Sequence, residues 1–221
     1  MIFDQRFAKI RELVKALRQR RDQMIALAAL DLQFAAKYTA HELDLTLERL
    51  ETFIEVRESL APRRPLGGPG SWVAVTLSYN GSAWLNLVIT AAYMAGNKVL
   101  VKFSSKGRGL MSLMEEAYRP IFGDDIRFYR ARGQTFMEEA LKNPKVSGVV
   151  FFGSEEHVLP YQEAFRQSGK KFIFEGPGAD PFIVFPDADL PLALSDLMAA
   201  KFAYSGQTCT APKRIFIHNS I

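Results

Sequence analysis

From Trp72 onward the sequence alternates short β-rich apolar runs with segments of helical spacing, and this alternation limits the fold more than any other feature. A strand followed by a helix and another strand is typical of parallel strands joined by crossover helices. Strands are predicted at Trp72–Leu77, Lys98–Phe103, Ile126–Tyr129, Val146–Phe152 and Lys171–Phe174, and helices at 83–95, Gly109–Tyr118, 135–142 and 158–168. The pattern therefore predicts an α/β fold with a parallel sheet flanked by helices.

The segment before these runs has a different pattern. Residues 1 to about 60 carry apolar residues at helical spacing and predict a helical scaffold. Thr39 and Glu42 have the spacing of a capping box, which predicts a helix start at that point. A Pro- and Gly-rich joint follows from Ala61, and Gly67–Gly70 is predicted to be a turn because it precedes a strand. The usual three-glycine dinucleotide fingerprint is absent, so the sheet alone leaves the function open.

Charge and composition exclude several classes of protein. The 28 basic and 24 acidic residues give a net charge of +4, too small and too dispersed to predict nucleic-acid binding. No stretch reaches the roughly 18 apolar residues of a membrane helix. The three histidines show no metal-ligand spacing, so no metal site is predicted. One cysteine cannot form an intramolecular disulfide, which predicts a free thiol and a reducing, cytoplasmic location.

The single cysteine, Cys209, is a candidate nucleophile. An isolated cysteine is usually a small buried apolar residue, but Gly206, Gln207 and Thr208 give this one a polar setting that permits tight backbone geometry. Glu175 alone would be a solvated surface carboxylate. It follows an apolar stretch, however, and so lies at the end of a predicted strand, where active sites of α/β sheets collect. The two residues are therefore candidates for a nucleophile and a base.

Several ordered motifs resemble those of the aldehyde dehydrogenase superfamily. Ser78–Asn80 matches its Pro-Trp-Asn, Ala95–Ser105 matches its Ala-Gly-Asn…Lys-Pro-Ser-Glu, and Phe151–Ser154 matches its Phe-Thr-Gly-Ser. The Glu175 and Cys209 segments follow in the family's order. The resemblance runs from about residue 60 to the last residue. It implies a Rossmann-like NAD(P)-binding α/β domain at 61–174, on which the helical segment 1–60 packs, and the truncated start of a second α/β catalytic lobe at 175–221.

The resemblance also implies a reaction and a role for each site residue. Cys209 would attack a small-molecule aldehyde as its thiolate, and the resulting thiohemiacetal would give hydride to NAD(P). The Asn80 side-chain amide and the Cys209 backbone N–H would hold the oxyanion. Glu175 would activate the water that hydrolyses the thioester to a carboxylic acid. Asn80 could instead be a turn asparagine ahead of Gly81.

The choice of cofactor follows from charge. The resemblance places Lys102, Ser104, Ser105, Gly153 and Ser154 at the cofactor. NAD-preferring members carry a glutamate where this chain has Ser105, so a 2′-phosphate would meet no carboxylate and could hydrogen-bond to that serine. Lys102 or Lys106 is a candidate to pair with the phosphate, although a loop lysine such as Lys106 is more commonly just solvated. NADP is therefore preferred over NAD.

Departures from the family pattern leave two alternatives. Pro177 removes a backbone donor beside the proposed base, Val158 stands at a usual glycine, and Tyr204 replaces a frequent asparagine. Family members are about twice as long, so the chain is expected to be incomplete. The alternatives are a coenzyme A-acylating aldehyde dehydrogenase and a non-catalytic remnant that binds a nucleotide or a partner. A homo-oligomer is expected for the complete protein, and the particular aldehyde is not predicted.

Overall fold

The computed structural model describes residues 2–60, 64–81 and 83–221. Ala61–Arg63, where the predicted joint begins, lie outside the described residues. The chain divides into two compact units, Met1–Glu175 and Gly176–Ile221. This division does not test the predicted three-part domain organisation, which stays a prediction.

The first unit opens with helices and continues as alternating strands and helices. The initial helices are α1 (Ile2–Gln19), α2 (Arg21–Leu32), α3 (Ala36–Glu51) and α4 (Arg57–Leu60). The alternating part contains β1 (Trp72–Leu77), α5 (Leu85–Met94), β2 (Lys98–Phe103), α6 (Arg108–Phe122), β3 (Ile126–Phe128), α7 (Gly133–Lys142), β4 (Val146–Phe152), α8 (Glu155–Gln167) and β5 (Lys171–Glu175). The predicted helical scaffold and the predicted alternation are both confirmed.

Within the described residues these strands form one five-stranded sheet in the order β3-β2-β1-β4-β5. Every neighbouring pair is parallel, which confirms the predicted fold class. β1 is central, and all six of its residues are buried. Starting from β1, the chain adds β2 and β3 on one side of the sheet and then β4 and β5 on the other side. The topological switch point therefore lies between β1 and β4.

The faces of the sheet pack against different helices. Val73, Val75 and Leu77 of β1 contribute to a core with the helices of the amino-terminal segment, α5 and α6. Trp72 and Ala74 belong to a second core with α7 and α8. Alternate residues of one strand thus enter opposite cores, as a sheet covered on both faces requires.

Two carboxylates of the initial helices cap helices of the alternating part. Asp31 at the end of α2 accepts hydrogen bonds from Gly109 N (2.7 Å) and Leu110 N (3.2 Å), in the first turn of α6. The buried Glu42 of α3 accepts from Ala83 N (3.1 Å) and Trp84 N (3.0 Å), at the start of α5. Each carboxylate satisfies backbone donors that a helix start leaves unpaired, and it faces the positive end of the helix dipole.

The predicted capping box at Thr39 and Glu42 is therefore wrong. α3 begins at Ala36, so Thr39 lies inside the helix, where its side chain is buried. The spacing was correct for a cap, but the carboxylate of Glu42 reaches a different helix, which a local motif does not reveal.

The second unit is small, and many of its large apolar side chains are exposed. It contains β6 (Pro181–Val184), α9 (Leu190–Phe202) and β7 (Arg214–Ile217), and β6 and β7 pair in parallel. No residue of α9 is buried. β6 and α9 are not among the strands and helices predicted from the sequence.

We expect Asp31→Ala to lower the free energy of unfolding by about 1 kcal/mol, because two N–H groups of α6 lose their acceptor. Urea denaturation followed by circular dichroism measures the change. Asp22→Ala is the matched control, since Asp22 lies in the same helix with a side chain 97% exposed. Equal stability of the two variants would contradict the capping role.

Candidate active site

The carboxyl edge of the sheet collects the predicted site residues of the first unit. The following residues lie there: Asn80 after β1, Lys102 near the end of β2 and Ser104 and Ser105 after it, Gly153 and Ser154 after β4, and Glu175 as the last residue of β5. Parallel strands bring these positions to one edge although 95 residues separate Asn80 from Glu175. This edge is where α/β sheets bind ligands.

A hydrogen-bonded seam fixes the ends of the strands at the switch point. Thr76 Oγ1 accepts from Phe152 N at 3.1 Å, which joins β1 to β4. Gly153 N donates to the backbone carbonyl of Glu175 at 3.1 Å, which joins β4 to β5. The side chain of Glu175 is exposed. Hydrogen bonds therefore fix the backbone of Gly153 and Glu175, while the carboxylate of Glu175 faces solvent.

Asn80 lies half-buried in the turn that follows β1. The next residue, Gly81, has no room for a side chain, because an added Cβ would lie 2.4 Å from Trp84 Nε1. Trp84 in turn makes an edge-to-face contact with Phe152, with ring centroids 5.5 Å apart. The turn is thus packed onto the end of β4, and the position of Asn80 is determined by this packing.

A cavity of about 520 Å³ lies beside the carboxyl ends of β2 and β3, and we call it the basic cavity. The predicted cofactor residues Lys102, Ser104 and Ser105 line it together. Three arginines also line it: Arg108, Arg130 and Arg132. No carboxylate is among its described lining residues, so every charged side chain that lines the basic cavity is a cation.

The two lysines considered for the cofactor phosphate have different environments. Burial lowers the pKa of Lys102, and the nearby positive charge of Arg108 lowers it further. Lys106 lies outside the basic cavity, with its Nζ 4.1 Å from the centroid of the Tyr79 ring, in a cation–π contact. Lys102 is therefore the lysine that the basic cavity can offer to an anion.

Ser154 immediately precedes α8, and its hydroxyl is already engaged. Its Oγ lies 2.7 Å from His157 Nδ1 and 3.3 Å from Glu156 Oε1, so the hydroxyl already has partners in the first turn. Glu155 and Glu156 both stand in that turn. Val158, at the position of a usual family glycine, is buried. The two carboxylates in this first turn repel an anion at the start of α8, whereas the cations that line the basic cavity attract one.

Cys209 lies in the second unit and its side chain is exposed. The backbone before it is unusual, because Tyr204, Ser205 and Gly206 all have positive φ, at 50°, 58° and 70°. The loop after Glu175 packs directly on the cysteine: an added Cβ at Gly178 would lie 2.1 Å from the Cys209 carbonyl oxygen. Glycine at 178 is therefore a condition for the observed backbone at Cys209.

Within the described parts of the chain, no group of three or more His, Cys, Asp or Glu side chains could hold a metal ion. No described helix is long and apolar enough to span a membrane.

The chain belongs to the aldehyde dehydrogenase family, whose model matches residues 1–221. This confirms the resemblance found in the sequence. The chain is 33% identical over 144 residues to succinate-semialdehyde dehydrogenase [NADP(+)] of Saccharomyces cerevisiae, a match that covers 63% of this chain and 29% of the yeast protein. It is 25% identical over 236 residues to succinate semialdehyde dehydrogenase [NAD(P)+] of Escherichia coli, covering 99% of this chain and 50% of that protein.

A solved structure shows the same fold. The succinic semialdehyde dehydrogenase from Streptococcus pyogenes, determined in complex with NADP+, aligns with a TM-score of 0.86 at 20% identity, covering 99% of this chain and 50% of that one. The chain thus spans about half the length of the relatives that it matches from end to end.

Sequence reasoning missed the three arginines of the basic cavity. Arg108 follows β2 by five residues, while Arg130 and Arg132 follow β3, so they meet only through the pairing of β2 with β3. The pattern Arg-Ala-Arg directly after a predicted strand was the available signal, since a residue there lies at the carboxyl edge.

We expect Gly178→Ala to change the rate at which iodoacetamide alkylates Cys209 by at least about fivefold, because the added methyl group must displace the Cys209 backbone, and small displacements of reacting groups change rates strongly. Mass spectrometry of the alkylated protein gives the rate, and urea denaturation gives the accompanying loss of stability. Unchanged rate and stability would show that Gly178 does not determine the conformation at Cys209.

Proposed function

We propose that the protein oxidises an aldehyde to a carboxylic acid through Cys209, with NADP preferred over NAD as the cofactor. The observation that supports this proposal most is the basic cavity, because Lys102, Ser104 and Ser105, chosen from the sequence as cofactor residues, line it together. Family membership and the names of the relatives point to the same chemistry.

The residues of the first unit fit a phosphate-bearing cofactor. Ser105 stands where NAD-preferring members carry a glutamate, and no described carboxylate lines the basic cavity, so a 2′-phosphate would meet donors and cations only. Lys102, Ser104 and Ser105 would hold the phosphate-bearing ribose, and Gly153 and Ser154 would contact the cofactor at the end of β4. When bound, NADP or NAD would supply the hydride acceptor.

Cys209 would act as the nucleophile. Its thiolate forms a C–S bond to the aldehyde carbon, loss of hydride from that carbon leaves a thioester, and hydrolysis of the thioester gives the acid and restores the thiol. The exposed position of the side chain supports this role, because the substrate must reach the sulfur. Asn80 would donate its side-chain amide to the oxyanion that forms on the aldehyde oxygen.

Glu175 would be the base that activates water for hydrolysis. It is the last residue of β5, on a fixed backbone and with an exposed carboxylate, which suits a group that must take a proton from solvent-derived water. If coenzyme A is the acyl acceptor instead, no water has to be activated and Glu175 has no chemical role. This is the difference that separates hydrolysis from the coenzyme A alternative.

Residues 175–221 would form part of a larger catalytic lobe. β6 and β7 are parallel, and parallel strands are normally covered on both faces. Ile183, Phe216 and Ile217 are more than half exposed, as is Met198 on α9. Apolar surface of this extent supports a lobe in which further polypeptide covers this unit.

The proposed location of the protein is the cytoplasm. The exposed thiol of Cys209 supports a reducing compartment and hence the cytoplasm. A homo-oligomer is proposed for the complete protein, and size-exclusion chromatography with light scattering would determine it.

In the full-length protein, Asn80→Ala should lower turnover by about 10²–10³, the usual effect of removing one oxyanion donor. Succinate semialdehyde is the first substrate to assay, because both curated relatives are named for it. Asn143→Ala is the control, since Asn143 is a structural turn asparagine whose Oδ1 accepts from Lys145 N at 2.9 Å. Turnover near that of the control would remove Asn80 from the mechanism.

Glu175→Gln in the full-length protein should retain the initial burst of reduced cofactor and slow the steady-state rate by about 10²-fold or more, because acylation proceeds while hydrolysis loses its base. Stopped-flow absorbance separates the two phases. Glu163→Gln, an exposed carboxylate paired with Arg166, is the control, and Cys209→Ser should abolish both phases. A steady rate unaffected by Glu175→Gln but stimulated by coenzyme A would favour the acylating alternative.

A further inference from the structure

A second cavity, of about 630 Å³, lies at the amino edge of the sheet, and we call it the amino-edge cavity. Trp72 at the start of β1, Lys98 at the start of β2 and Arg127 in β3 line it. Lys145, directly before β4, lines it as well. Open α/β sheets normally bind their ligands at the carboxyl edge, so the proposed reaction gives this cavity no function.

Every charged side chain among the described lining residues of the amino-edge cavity is a cation, namely Lys98, Arg127 or Lys145. Arg127 is paired with Asp124 at 3.1 Å. Asp125 lies 3.4 Å from Lys98 and 3.6 Å from Lys9, so two lysines share its single charge. Lys145 has no ion-pair partner in the part of the chain that the structure describes. Among these side chains four cations therefore share two carboxylates, which leaves two positive charges in excess.

Trp72 holds two of these cations close together. The centroid of its ring lies 5.1 Å from Arg127 Cζ and 5.5 Å from Lys98 Nζ. Cation–π contacts at such distances attract both groups to one indole. Two positive charges are thus concentrated in one part of the cavity. This arrangement suits a compact dianion better than a ligand whose two charges are far apart, because the attraction falls with distance.

Hydrogen bonds to the backbone hold the walls of the cavity in place. Trp72 N donates to the carbonyl oxygen of Lys145 at 2.8 Å, which joins β1 to the loop before β4. Lys170 Nζ donates to the carbonyl oxygens of Ala140 at 3.0 Å and Val146 at 2.9 Å, on either side of that loop. The cavity is therefore formed before a ligand enters, and binding has little backbone to order.

The lining chemistry fits an organic phosphomonoester. Such a group carries about 1.5–2 negative charges at pH 7 on three acceptor oxygens, which matches the two positive charges in excess. The guanidinium of Arg127 can bind two of these oxygens through paired N–H donors, and Lys145 adds an ammonium group. Leu100 and Pro144 provide apolar surface for the organic part. No cysteine, histidine or carboxylate is among the described lining residues, so the cavity is suited to binding and not to catalysis.

We propose that the amino-edge cavity is a second binding site, which takes a small organic phosphomonoester through Lys98, Arg127 and Lys145. The site is separate from the basic cavity, since the two have no described lining residue in common. The volume of about 630 Å³ lies within the range of small-molecule sites. This inference goes beyond the proposed function and does not depend on it.

The test is calorimetric titration of the full-length protein with phenyl phosphate, in the presence of saturating NADP to fill the basic cavity. Two further probes are phenyl sulfate, which has the same shape and one negative charge, and terephthalate, whose two carboxylates lie at opposite ends of a ring. We expect phenyl phosphate to bind at least about tenfold more tightly than either, because a compact dianion gains the most charge-assisted hydrogen bonds. Absence of phenyl phosphate binding, or equal affinity for either of the other probes, overturns the inference.

Variants assign the binding to this cavity. Arg127→Gln and Lys145→Gln, both at exposed positions, should each weaken phenyl phosphate binding about tenfold, the usual effect of losing one charged hydrogen-bonding partner. Lys142→Gln is the matched control, because it removes the same charge three residues before Lys145 at an exposed position outside the described lining. Arg108→Gln is the control for the basic cavity.

The pattern of the four variants decides between the two cavities. Weakening by Arg127→Gln and Lys145→Gln alone supports the inference. Weakening by Arg108→Gln instead would place the phosphate in the basic cavity and overturn it. Equal weakening by Lys142→Gln would indicate a general effect of charge, and wild-type affinity in both lining variants would show that the cavity does not bind the probe; either result also overturns it.

Discussion

The parallel pairing of the strands is the constraint on which the candidate site depends. Because β2, β1, β4 and β5 run in one direction, residues as far apart in sequence as Asn80 and Glu175 end at one edge of the sheet. The pairing of β2 with β3 has the same effect on the cations of the basic cavity. An antiparallel neighbour would bring the start of a strand to this edge, and the cavity would lose one of its two loops.

The initial helices contribute no predicted site residue, yet the site depends on them. Asp31 fixes the first turn of α6 immediately after Arg108, and Glu42 fixes the start of α5 immediately after the Asn80 turn. Neither α5 nor α6 has a side-chain cap from its own N-cap residue. The carboxylates of Glu42 and Asp31, which come from other helices, accept the hydrogen bonds that a local cap would accept. The amino-terminal segment therefore serves as a structural support for the loops that carry the predicted site residues.

The sequence predicted the central strands better than it predicted the site. β1, β2 and β4 have the predicted bounds because buried apolar runs between Gly, Pro and polar turns leave little choice. The sequence pattern predicts a helix end at Tyr118, but α6 continues through Pro120 to Phe122, whose buried ring packs on Tyr118 with centroids 5.3 Å apart. Contacts between packed side chains determine where such a helix ends, and a local sequence pattern does not contain this information. The same limit hid Arg108 and Arg132 as members of one cavity, since only strand pairing brings them together.

The loop before Cys209 is held by a constrained backbone conformation, unlike the loops of the first unit. In the first unit, buried side chains position the loops, whereas around Cys209 the backbone itself is constrained: Tyr204 and Ser205 occupy a left-handed conformation that costs about 1–2 kcal/mol for residues with a side chain. Gly178 permits the close approach of a second loop to the Cys209 carbonyl. Strain of this kind persists only where the surrounding structure determines it, and it concentrates at functional sites. The strained turn before Cys209 therefore supports a catalytic cysteine more strongly than the exposure of its sulfur does.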